Sequence, residues 1–272
     1  MPEGGNLIAG FAQVVAFKAI GTDGKSVEIE GYISDKSENR ICDIKSQNKG
    51  MGSFILSAQA GEQYTATITS ARGVTSTFQL PTVLVSGCAM QVKQIAGNTL
   101  LMKVSSTPDI PTPRLAAVIQ SRGMVEAVIE DVTRLIRIPL SEIMSGIAHI
   151  AIVDKESKQI VAERLIFVEN HNFATANIQA DKQSFSPREK ISLDFDIRNS
   201  TGTPVVGDFV VSVTDSKAAP LDSTAENIFS YLLLSSDLRG RIEEPAQYFD
   251  SNNPSRKEHL DLVMLTNGWR RY

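Results

Sequence analysis

The chain has 272 residues, 42% of them hydrophobic and 21% charged, with a formal net charge of −4. This composition excludes intrinsic disorder, and the length asks for two or three folded units. The sequence holds no concentrated basic block to bind nucleic acid, and no apolar run of the roughly 18 residues that a membrane-spanning helix needs.

Short alternating runs separated by glycine-rich turns fill the first part of the chain. Residues 14–19, 27–33, 41–44, 53–57, 64–68 and 78–80 read as strands. Val27, Ile29 and Ile33 share one face, as do Tyr64, Ala66 and Ile68. Period-two patterning of this kind is the mark of an antiparallel sandwich, and residues 1–83 are expected to form the first one. The glycines of Gly50-Met51-Gly52 are read as conformational.

Residues 84–172 are expected to form a second sandwich, with strands at 90–95, 99–104, 116–120, 125–129, 134–138, 147–153 and 160–168. The last two flank a polar turn and make the clearest hairpin in the chain.

Residues 173–272 are expected to form a third unit. After a strand at 177–180 comes Lys-x-x-Phe-x-Pro, then a run in which Ile191, Leu193, Phe195 and Ile197 face one way. Ser192, Asp194, Asp196 and Arg198 face the other, the pattern of a strand with one face in a core and one in water. A return strand at 206–213 follows. Residues 223–234 then read as a helix capped by Asp222 or Ser223, with Ile228, Tyr231, Leu232 and Leu234 on its apolar flank. A second helix is expected at 258–265, with Leu260, Val263 and Met264 inward and Gly268 as its stop. The fold class is all-β, a tandem of antiparallel immunoglobulin-like sandwiches with short helices after the last clear strand.

Residues that carry chemistry are sparse. His149, His171 and His259 fall in different units, without metal-ligand spacing, and no nucleophile elbow is present. The chain reads as non-catalytic, with no cofactor and no metal. Cys42 and Cys88 are either two separately buried thiols or one disulfide. Asp194 and Asp196 read as a solvated sheet face, and Glu163 with Arg164 as an ion pair or an interface contact. The candidate interface combines Trp269, Arg270, Arg271 and Tyr272 with Tyr248 and Phe249, since rigid aromatics and forked donors favour contacts. The competing reading packs Trp269 on its own domain.

Several pieces carry a family likeness: Pro2-Glu3-Gly4-Gly5-Asn6-Leu7, Gly50-Met51-Gly52-Ser53-Phe54, Ala162-Glu163-Arg164-Leu165-Ile166-Phe167, Asp181-Lys182 through Ser186-Pro187-Arg188-Glu189, Gly202-Thr203-Pro204-Val205 and Leu265-Thr266-Asn267-Gly268-Trp269-Arg270-Arg271-Tyr272. In this order they resemble the macroglobulin-like sandwich regions of large exported proteins of Bacteroidetes-type bacteria. In many of those, such regions precede a TonB-dependent-receptor-like plug and barrel. The resemblance implies a cell-envelope location, outer-membrane-associated, periplasmic or surface-exposed, and a third domain of macroglobulin-like type, cut short at Tyr272. It implies as partners the adjacent domains of the same longer polypeptide or another envelope protein. The cysteine–glutamine thioester of true macroglobulins is absent around Cys42 and Cys88, so no reactive residue is carried over.

The function expected on these grounds is a non-catalytic scaffold or interaction region. The alternative is a carbohydrate- or peptide-binding module in which Tyr32, Tyr248, Phe249 or Trp269 lines one surface. A sandwich-based hydrolase is the third reading, and it needs a histidine within reach of both a serine and a carboxylate.

Overall fold

The computed structural model describes residues 1–95, 98–170, 172–215, 217 and 222–268. The early alternation becomes β1 (Leu7–Ile8), β2 (Ala12–Lys18), β3 (Ile29–Ser34), β4 (Arg40–Lys45), β5 (Met51–Ser57), β6 (Thr65–Ser70), β7 (Thr75–Gln79) and β8 (Val83–Leu84). Strands β4, β3, β6 and β7 form one antiparallel sheet, β2 and β5 the facing one, and β1 pairs with β8 in parallel. Val15, Ile33, Ile44, Leu56 and Tyr64 fill the space between. The turn into β5 depends on Gly50. Its φ is +69°, and an added Cβ would sit 2.5 Å from the Ala19 carbonyl oxygen.

The second sandwich contains β9 (Cys88–Ile95), β10 (Thr99–Ser106), β11 (Leu115–Ser121), β12 (Met124–Ile129), β13 (Leu135–Pro139), β14 (Gly146–Asp154) and β15 (Ile160–Val168). The order β13-β10-β9 makes one sheet and β12-β11-β14-β15 the other. Met90, Met102, Leu115, Ile119, Ile150 and Ile166 lie in the core between them. At the β14–β15 turn the Arg114 guanidinium and the Ser157 hydroxyl both bond the Asp154 carboxylate. They hold it well below the usual carboxylate range.

Residues 169–222 form a compact unit of their own. Its hairpin joins β16 (Thr175–Ala180) to β17 (Leu193–Arg198), with Ala176 opposite Ile197, Ile178 opposite Phe195 and Ala180 opposite Leu193. The face expected in a core is open instead: Ile178 is 56% exposed and Phe195 44%, because no second sheet covers them within this unit. Asp194 and Asp196 take the opposite face, and Asp196 pairs with Arg198. The expected return strand at 206–213 forms no ladder; its pairing is confined to the Arg198–Pro204 bridge and the bond from the Val205 N–H to the Ile197 carbonyl.

The expected third unit of residues 173–272 is divided, because residues 223–268 pack on the first 168 residues. The first helix is shorter than expected. It is α1 (Ile228–Leu233), capped by Asn227, whose side chain accepts from the Ser230 N–H in a reciprocal capping box. Its buried side is only partly the expected one: Leu234 is buried as expected, together with Ser230 and Leu233, while Ile228, Tyr231 and Leu232 are exposed. The second helix, α2 (Arg256–Asn267), buries Leu260, Val263 and Met264 as expected. Gly268 does stand at its C-cap, but with φ −87° its role is close approach, since an added Cβ would meet Leu165 at 2.8 Å.

These side chains form an apolar seam with Met51, Ile147, Leu165, Leu238 and Tyr248. It explains why β14 and β15 are hydrophobic on both faces. Ala162 and Ile166 look into the second sandwich, whereas Leu165 joins the seam under α2. Each fully buried side chain here contributes about 1.5–3 kcal/mol.

Candidate functional site

The expected interface residues divide between two fates. Trp269, Arg270, Arg271 and Tyr272 lie outside the described residues, as does His171. Tyr248 is not a surface aromatic: it is 1% exposed, within the seam, where its hydroxyl accepts from the Asn48 amide at 3.3 Å. Burial pushes its phenol up to about 12. Phe249 stands edge-on to Phe167 at 5.7 Å and to Phe229 at 4.9 Å. Both residues thus help hold the helical segment to the sandwiches.

The Glu163–Arg164 dipeptide is structural, and the two residues have different partners. Arg164 Nη1 donates to Glu3 Oε1 at 2.5 Å and to the Val92 carbonyl at 3.0 Å, while Nη2 donates to Asp261 at 2.5 Å. Both Glu3 and Arg164 have side chains only 3% exposed, whereas that of Asp261 is 52% exposed. The Val92 N–H also donates to Glu3, at 2.8 Å. Burial pushes the Glu3 carboxyl up, and Arg164 and the Val92 N–H pull it down less strongly. A single guanidinium therefore ties the N-terminal segment, β9, β15 and α2 together, leaving its own Nε without a partner.

Glu163 accepts or shares the Nε2 proton of His149 at 2.8 Å, and the other ring nitrogen of His149 meets the Gln120 amide at 2.8 Å. The partners given to the His149 ring are thus a carboxylate and an amide, not the serine hydroxyl that a hydrolase triad needs. Among the described residues no group of three His, Cys, Asp or Glu side chains is placed to hold a metal ion. Cys42 and Cys88 are free thiols, so the disulfide alternative is not formed. Burial raises both, Cys88 to about 12.

Two surfaces remain open. One is the apolar face of the 169–222 hairpin; in the same unit Phe209 and Val211 are more than half exposed. The other is a cleft of about 950 Å³ running into the first sandwich, from Phe78 at its rim to Ile33 and Ile44 at its floor. Sequence patterning could not find the cleft, because the residues around it alternate as any sandwich strand does. The only available signal was a strand count, with four strands in one sheet facing two in the other.

No family model matches the chain, and no curated protein does. Among solved structures it is similar to domains 3 and 4 of rat CD4, at 12% identity and a TM-score of 0.25 over 59% of this chain and 96% of that one. It is similar to invasin, a bacterial integrin-binding protein, at 13% identity and a TM-score of 0.25 over 76% of this chain and 47% of that one. The fibronectin(III)-like modules of Clostridium thermocellum CbhA match at 15% identity and a TM-score of 0.22, over 61% of this chain and 90% of that one. At such TM-scores none of these likenesses bears on what this chain binds.

Proposed function

We propose that the chain is a non-catalytic scaffold or interaction region. The observation that carries this reading is the open apolar face of the 169–222 hairpin, where Ile178 and Phe195 are paired and both exposed. Contiguous apolar surface of this kind marks a contact site, not a solvent face. The rigid joining of the two sandwiches through Arg164 and the seam under α2 supports the scaffold part. The finer reading rests on the sequence resemblance alone: a region of an exported envelope protein, outside the membrane part of a TonB-dependent-receptor-like transporter.

The test is the parent reading frame on both sides of this chain. The expected result is an export signal ahead of it and a plug and barrel behind. A frame bounded by Met1 and Tyr272 with no export signal overturns the envelope reading. The second reading, a peptide-binding module, is favoured by the cleft in the first sandwich.

A further inference from the structure

We propose that the cleft in the first sandwich accepts an extended strand of another polypeptide, with alternating apolar side chains and an acidic end. This deepens the interaction-region reading and rests on it. The sheet β4-β3-β6-β7 is faced by β5 and β2, with residues 1–3 beside β2 through a bridge from Pro2 to Val15, while Leu7 of β1 and Val83 of β8 close part of the same core. Strands lie about 4.8 Å apart, so this narrower layer covers the β7 end least: Ala66 and Ile68 of β6 are partly buried against the core, whereas Phe78 of β7 is 56% exposed. Ala66, Ile68 and Phe78 line the cleft there, and its floor reaches Ile33 in the core.

The edges around the cleft favour a peptide over another apolar ligand. The Glu3 N–H donates to the Val14 carbonyl, and the Ala16 N–H to the Met1 carbonyl, each at 2.8 Å. The even-numbered residues of β2 therefore turn their backbone groups outward, and Lys18 is the next position in that row. On the other side, β7 pairs only with β6. An extended chain satisfies such backbone groups while alternate side chains enter the groove; a lipid or a sugar leaves them to water. The charged residues in the cleft lining are Lys18, Lys25 and Arg72 against the single carboxylate Asp23, so charge complementarity calls for an acidic end on the strand.

The experiment uses the whole 272-residue chain and a fluorescent peptide of sequence Asp-Asp-Val-Thr-Val-Thr-Val-Thr-Val, read by anisotropy. Saturable binding is expected. Phe78→Lys, at a residue already 56% exposed, should weaken it by about tenfold or more without changing the melting temperature. The pair Lys25→Glu and Arg72→Glu should weaken it by about tenfold and transfer preference to a peptide with two lysines in place of the aspartates. Absence of saturable binding up to about 1 mM peptide overturns the proposal. So does binding that is indifferent to Phe78→Lys, or displacement by dodecanoate with no response to a scrambled peptide order. A dimer by light scattering that Phe78→Lys dissolves assigns the cleft to a second copy and equally overturns it. Each of these failures leaves the scaffold reading standing, since that rests on the open face of residues 169–222 and not on the cleft.

Discussion

Replacing Arg164 by Met tests the role assigned to the buried charge network. The substitution removes the counter-ion of Glu3, a carboxylate whose side chain is 3% exposed, while largely filling the space. Breaking a buried pair from one side costs about 3–5 kcal/mol, because the remaining charge stays out of water. Asp261 is half-exposed, so Asp261→Asn should cost less than about 1 kcal/mol. Adding Glu3→Gln to Arg164→Met should recover about 1–3 kcal/mol, since the orphaned charge is gone. The assay is urea unfolding at constant m-value. Its pH dependence fixes the cause. The folded-state pKa of Glu3 is already raised by burial, and loss of Arg164 raises it further. Below the unfolded carboxyl pKa the group is protonated in both states and the penalty vanishes. The penalty grows as pH rises from the unfolded value and levels off above the folded one, so Arg164→Met should be much less harmful at pH 4 than at pH 7. A cost below about 1 kcal/mol that does not change with pH would refute the reasoning.

Other outcomes follow from the same structure. Cys88 should resist a disulfide-exchange reagent until the protein unfolds, while Cys42, only partly buried, reacts in the native state; equal native rates would contradict their placement. Tyr248→Ala should cost about 3–5 kcal/mol and Tyr248→Phe about 1 kcal/mol by chemical denaturation. Gly50→Ala should destabilise strongly, whereas Gly73→Ala, where an added Cβ meets nothing within 4 Å, carries only the strain of its positive φ. The melting temperatures of the two variants measure the difference. Thermolysin should first cut near Val206 or Val210, which are each 99% exposed, and the pieces should then co-elute because the seam under α2 survives. Separation of the pieces in native buffer would argue against that packing.

The strands were legible because their signal is local: β3, β6 and β15 fall within a few residues of their alternating runs. The destination of the helical tail was not, since α2 shows only an inward stripe and Leu165 only an apolar run. Neither states that the two meet. The Glu3–Arg164–Asp261 network was hidden for the same reason, with 161 residues between the first pair and 97 between the second. One signal was available, an arginine set inside the apolar stretch of β15, which demands a buried partner without naming it. The open face of β16 and β17 reversed a sound local reading: alternation shows which face is apolar, but only the presence of a second sheet decides whether it is covered.

In chain order residues 169–222 separate the second sandwich from the helices that cover it, which sets an order on synthesis. When β15 leaves the ribosome, the Ile147 and Leu165 face has no cover, for the helix that shields it is still to be translated. Roughly 90 residues later, at about 5–20 residues per second, that cover arrives after roughly 4–18 s. During that interval the nascent chain carries a hydrophobic sheet face that its own helix has yet to cover.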